Sequence, residues 1–233
     1  MRTENRKNEE LRNIIFEPHF LAHAEGSCMI TCGRTKVLCA ASVEEKVPFF
    51  LRNSGSGWIT AEYSLLPRST HTRTDRESSR GRVSGRTHEI QRLISRSLRS
   101  IVDLEALGER QIHIDCDVIQ ADGGTRVASI SGACVALYFA LKKINKQKAF
   151  KQLVAGVSCG SVGGKLMVDL DYMEDSNADI DANFAILENG SFVEVQATGE
   201  RNTFEEDLLF KMLSMATTSA REIFLLQRQA LAL

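Results

Sequence analysis

Apolar and polar residues alternate strictly along 111–120, where Ile112, Ile114, Cys116 and Val118 fall on one side, and this period of two predicts a half-buried strand. Shorter runs rich in β-formers at 27–32, 35–43 and 57–63 predict three earlier strands, the first two joined by a hairpin-like turn at Gly33-Arg34. The period then changes. Across 87–104, Ile90, Leu93, Ile94, Leu98 and Ile101 recur at helical spacing, and Gly108 is placed to follow the helix end. A second helix is expected at about 127–143. Its small residues (Ala128, Ser129, Ser131, Gly132, Ala133) call for close packing. Strands at 153–158, 165–171 and 183–187 follow, and Asn189-Gly190 turns the chain tightly into another at 192–198. Thr203 and Glu206 have the spacing of a capping box for a last helix, whose apolar face includes Leu208, Met212, Leu213, Ala216 and Ile223. One stretch, 68–85, has no apolar periodicity and is rich in arginine and serine, so it is expected to be a mobile loop.

Composition narrows the class. The chain has 233 residues, 43% hydrophobic and 25% charged, enough for one large domain or two lobes sharing a core. The first dozen residues are charged and polar, unlike a secretory signal. The longest apolar run, 133–141, is too short to span a bilayer. Six cysteines without a C-x-x-C pair are expected to be reduced core thiols of a cytoplasmic protein.

The net charge of −1 conceals a strong asymmetry. Between Arg68 and Arg99 there are nine arginines against Asp75, Glu77 and Glu89, so this segment carries 9 − 3 = +6 and the remainder −7. Such a basic segment in an acidic chain is a footprint for a polyanion; a merely solvated face is the alternative. Arginine is used there to the exclusion of lysine, which favours forked contacts to phosphate.

Three groups of residues carry candidate chemistry. Gly123-Gly124-Thr125-Arg126 stands at a strand-to-helix junction, where glycines admit an oxyanion and the helix start supplies free N–H groups. The alternative is an ordinary turn. Arg86, in Ser84-Gly85-Arg86-Thr87, offers a second fork that would neutralise and aim a dianion. The acids Asp169, Asp171, Glu174, Asp175, Asp179 and Asp181 form either a structural acidic loop or a pair, Asp175 with Asp181, suited to Mg²⁺ or Mn²⁺. The histidines His19, His23, His71, His88 and His113 are scattered and make no nucleophile–base arrangement.

Read together, Gly57-Trp58-Ile59-Thr60-Ala61-Glu62-Tyr63, Leu66-Pro67-Arg68-Ser69-Thr70-His71-Thr72-Arg73, Ser84-Gly85-Arg86-Thr87, Asp122-Gly123-Gly124-Thr125-Arg126, Asp169-Leu170-Asp171-Tyr172 and Phe192-Val193-Glu194-Val195-Gln196 resemble the ribonuclease PH family over nearly the whole chain. The resemblance implies an α+β fold like domain 2 of ribosomal protein S5, with mixed β-sheets flanked by helices. It implies one such domain over 1–233 with an RNA-binding loop at about 68–85. It implies a phosphorolytic 3′→5′ exoribonuclease, a tRNA nucleotidyltransferase that trims tRNA precursors and other RNA 3′ ends, with rRNA processing among its roles. Inorganic phosphate is then the co-substrate and Mg²⁺ or Mn²⁺ the cofactor. Arg86, Gly124, Thr125 and Arg126 correspond to the phosphate site, Asp175 and Asp181 to catalytic, metal-associated aspartates, and Arg68, Arg73 and Arg76 to RNA-holding arginines. A cytoplasmic homohexamer, a trimer of dimers with no membrane contact, is the implied assembly. Two departures stand out: Glu4-Asn5-Arg6 replaces the usual Asp-Gly-Arg, and Asp179-Ile180-Asp181 replaces Glu-Thr-Asp. Three other readings compete: an exosome-type ring subunit with the same chemistry, a non-catalytic RNA-binding ring subunit, and a hydrolytic metal nuclease.

Overall fold

Two β-sheets pack against opposite sides of one helix. The computed structural model describes residue 2 and residues 5–233, apart from the side chains of Ser78 and Arg80, so the departure at Glu4 lies outside the described residues. The first sheet contains β1 (Ile14–Pro18), β2 (Gly26–Cys32), β3 (Thr35–Glu44), β4 (Trp58–Leu65) and β5 (Gln111–Gln120), in the order β1-β2-β3-β5-β4. Only the β4–β5 pair is parallel. The second sheet is antiparallel, with β6 (Val154–Val162), β7 (Lys165–Val168), β8 (Ile180–Leu187) and β9 (Phe192–Gly199) in the order β7-β6-β8-β9.

The helices are α1 (Gly85–Ser100), α2 (Leu104–Leu107), α3 (Thr125–Lys143), α4 (Tyr172–Ser176) and α5 (Glu206–Leu231). This is the α+β architecture expected. α3 is the central helix, buried almost continuously from Val127 to Leu141, and it packs on β2 and β3 on one side and β6 on the other. Its small residues let the layers close. A side chain at Gly132 would meet Ile30 Cγ2 at 2.7 Å and Cys39 Sγ at 2.9 Å. Gln227 of α5 is fully buried and ties the layers together, donating at 3.0 Å to the carbonyls of both Ser131 and Val154. α1 covers the open edge of β4, where Ser95 Oγ accepts the Ala61 N–H at 2.8 Å and so satisfies an edge donor. All six cysteines are free and buried, as expected of core thiols.

Several boundaries differ from those predicted. The first predicted helix ends at Ser100, and residues 104–107 form the separate turn α2, which Gly108 (φ 73°) terminates. The strand expected at 165–171 stops at Val168, because Asp169 turns into the left-handed region (φ 52°). The Thr203–Glu206 capping box is not formed: α5 starts after Glu205 with no side-chain cap. A capping box does form at α4, where Asp171 Oδ1 accepts the Glu174 N–H at 2.9 Å and Glu174 Oε2 accepts the Asp171 N–H at 3.1 Å. Within 68–85 the backbone makes a single 3-10 turn, Glu77–Arg80. Among the described residues no helix is long and apolar enough to cross a membrane.

Candidate active site

The N-terminal ends of α1 and α3 converge on one cleft. Ser84 caps α1, its Oγ accepting the Thr87 N–H at 3.2 Å, so Arg86 lies in the first helical turn and not ahead of it. Gly123 and Gly124 carry φ of 74° and 66°, a conformation that costs glycine little, and they deliver the chain into α3 at Thr125. Gly123 is also pressed against the second sheet's loop. A side chain there would lie 2.4 Å from the Leu170 carbonyl. Two helix starts aimed at one space give it a positive potential even before Arg86 and Arg126 are counted.

The cleft has a volume of about 560 Å³, and it is lined by Arg86, Gly124, Thr125 and Arg126 on one side and by Asp175, Asp181 and Asn183 on the other. A neighbouring hollow of about 450 Å³ shares Arg86, Arg126 and Asp181 and extends along β9. The sequence-predicted phosphate and aspartate residues are thus brought together. Arg126 is oriented by Gln196, whose Oε1 accepts from its guanidinium at 3.2 Å, while Gln196 donates to Glu89 at 2.7 Å.

The two aspartates reach the cleft from different elements. Asp175 stands on α4, and Asp181 is the second residue of β8. Burial raises the Asp175 carboxyl above its ordinary value, with Arg86 and Arg126 opposing. Burial, and then the neighbouring Asp175 charge, push Asp181 up to about 6. Asn183 donates to both Asp181 oxygens, at 3.3 and 3.2 Å. Two mutually repelling carboxylates fit a hard divalent cation, which would remove that repulsion. Among the described residues no three His, Cys, Asp or Glu side chains are grouped to hold an ion. An ion here would therefore keep waters or phosphate oxygens in its shell, as Mg²⁺ commonly does.

Tyr63, Asn183 and Gln196 are site residues that sequence reasoning missed. The Tyr63 hydroxyl meets Thr125 Oγ1 at 2.8 Å, and burial raises its pKa while Thr125, Arg86 and Arg126 counteract this. Asn183 had a usable signal, since it follows Asp181 by two residues on the same strand face. Arg68, Arg73 and Arg76 lie outside the cleft. Arg68 donates weakly to the His71 carbonyl at 3.4 Å, Arg73 pairs with Asp75 at 3.0 Å at the exposed surface, and Arg76 acts on Asp117 of β5. Thr70 and Glu77 of the same segment do line the cleft.

Behind the site, arginines from the N-terminal segment tie down α4 and the loop before it. Arg2 Nε donates to Glu174 at 2.7 Å, and Arg12 donates to the Asp122 carbonyl at 2.6 Å while pairing with Asp169.

Comparison with known proteins finds relatives over the whole chain. The chain is 53% identical to ribonuclease PH of Rhodospirillum rubrum, over all of this chain and 99% of that protein. Solved structures of similar fold include rice Rrp46 (TM-score 0.82, 18% identity, all of both chains). They also include the Archaeoglobus fulgidus exosome with RNA bound to the active site (TM-score 0.82, 22% identity, 95% of this chain and 91% of that one). Residues 10–142 match domain 1, and residues 152–219 domain 2, of the 3′ exoribonuclease family known as RNase PH, and the chain belongs to that family.

Proposed function

We infer that this chain is a phosphorolytic 3′→5′ exoribonuclease: inorganic phosphate attacks the terminal phosphodiester of RNA and a nucleoside 5′-diphosphate leaves. The observation that carries this reading is one cleft holding two arginines at converging helix starts opposite two half-buried aspartates. A phosphate oxygen bonds to the phosphorus as the bond to the preceding 3′-oxygen breaks, and that oxygen takes up a proton. The nucleophile is already anionic, so the barrier is repulsion between two phosphates more than lack of a base. Arg86, Arg126 and the amides at Gly124 and Thr125 offset that repulsion and fix the line of attack. Asp175 and Asp181 would hold Mg²⁺ or Mn²⁺, which supplies charge neutralisation at the phosphoryl oxygens. Asn183 orients Asp181, and Tyr63 orients Thr125.

On the same reading the arginine segment 68–85, with Arg68, Arg73 and Arg76, grips the RNA backbone outside the cleft, within a single RNase PH unit spanning the chain. The remaining parts of the proposal are tRNA precursors as substrate, a homohexamer built as a trimer of dimers, and a cytoplasmic location. The deciding experiment is product analysis with and without phosphate. Nucleoside diphosphates that appear only with phosphate support the reading. Monophosphates released without it would establish hydrolysis instead.

A further inference from the structure

Tyr172 lies on α4 three residues before Asp175 and four before Ser176, and all three side chains line the cleft. These spacings place them on one helix face, with Tyr172 one turn from the catalytic aspartate. Its backbone is anchored to the phosphate cradle. The Tyr172 N–H donates to Asp122 Oδ1 at 3.4 Å, and the preceding residue packs on Gly123. The residue is 45% exposed, so it presents accessible aromatic surface in the cleft. His71, from the arginine-rich segment, meets the ring at 4.9 Å between centroids, tilted by 45°. The ring is thus in contact with His71 while the residue also lines the cleft.

We propose that Tyr172 is the stacking platform for the base of the RNA's 3′-terminal nucleotide, with His71 bracing the ring. The inference rests on the exoribonuclease reading. An enzyme that removes one nucleotide after another meets every base in turn at this position. It needs contacts that any base can make, and a π-face supplies them where hydrogen-bond readout does not. Arg86, Arg126 and the aspartates act on phosphates, and Tyr63, the other aromatic lining the cleft, is buried with its hydroxyl held by Thr125, so Tyr172 is the exposed aromatic surface that the described cleft offers a base.

The test is a cycle of binding measurements in phosphate-free buffer with Mg²⁺, where no phosphorolysis occurs. Full-length wild-type protein and Tyr172→Ala are each titrated into three 5′-labelled oligonucleotides, one intact, one abasic at its 3′-terminal sugar and one abasic at the penultimate sugar. Losing either partner should weaken binding roughly ten-fold, losing both should weaken it no further, and Tyr172→Phe should restore it. Losses that multiply, or abasic RNA bound by wild type as tightly as intact RNA, would overturn the proposal. So would a loss seen only when the abasic sugar is penultimate. If thermal melting shows Tyr172→Ala unfolded, Tyr172→Leu replaces it in the cycle, keeping apolar bulk without a π-face. Nucleoside diphosphate release by wild type on added phosphate is read in parallel. Its absence would sink the phosphorolytic reading, while the binding cycle still decides the role of Tyr172.

Discussion

Arg12 and Asp169 form a two-pronged ion pair beneath the cleft. Nε donates to Oδ2 at 3.0 Å and Nη2 to Oδ1 at 2.7 Å, and the Arg12 backbone N–H adds a third bond to Oδ2 at 2.7 Å. Arg12 also reaches the Asp122 carbonyl, so the pair spans the phosphate cradle and the loop that leads to α4.

Breaking this pair should therefore be expensive. Asp169→Asn leaves a buried guanidinium uncompensated, and a loss of about 3–5 kcal/mol in chemical denaturation is expected. The pH dependence has a definite sign. Burial alone would raise the Asp169 carboxyl, but Arg12, and then Arg6, outweigh it and hold it below its ordinary value. Its stabilisation is present above the unfolded carboxylate pKa and is lost as pH falls through the lower folded value. Wild type should lose stability in acid, below about pH 4, through a component that Asp169→Asn lacks. Identical acid sensitivity in the two proteins would refute this.

Asp181 has the opposite sign. Its carboxyl is raised to about 6 by burial and by Asp175, so the folded protein holds this proton more tightly than the unfolded chain does. Metal-free protein should lose stability through this group as pH rises from the ordinary carboxylate range to about 6. Carboxyl NMR of Asp181 should show that midpoint, and Asp175→Asn should lower it by removing the like charge. An unchanged midpoint in that variant would show that the two carboxylates do not interact.

Arg86→Ala should remove phosphorolysis while sparing RNA binding. One charged donor lost from a preorganised anion site costs on the order of 2–4 kcal/mol of transition-state stabilisation. Kinetics at varied phosphate should show the defect, and oligonucleotide affinity without phosphate should stay within about two-fold of wild type, a change of less than about 0.5 kcal/mol. Ordinary turnover at ordinary phosphate concentration would remove Arg86 from the mechanism.

Arg73 should behave differently, because it lies outside the cleft and its Asp75 partner is exposed. Arg73→Ala should weaken long or structured RNA more than short oligonucleotides and reduce the salt dependence of binding by about one phosphate contact. Equal losses on long and short substrates would place Arg73 at the reaction centre.

The legible parts of this chain are those where one physical signal dominates. β5 matches its predicted bounds because alternation runs unbroken from Gln111 to Gln120. β1 escaped notice because it is short and ends in Pro18, with Ile15 and Glu17 exposed at the sheet edge. α4 has five residues, fewer than two turns, so no periodicity exists to detect. Its Asp171–Glu174 spacing was a better capping signal than Thr203–Glu206. The phosphate and aspartate residues were visible as motifs, but their meeting was not. Tyr63 comes to Thr125 across 62 positions and Gln196 to Arg126 across 70, and only the packed sheets create those contacts.

The seam between the two family-matched segments falls at the C-terminal end of α3, in residues 143–151. Yet that helix packs on both sheets, on β2 and β3 of the first and on β6 of the second. Neither segment would keep its apolar surface covered without the other, so heating should melt both sheets in one transition. An exchange of either half between relatives succeeds only when the surface it presents to α3 is matched as well.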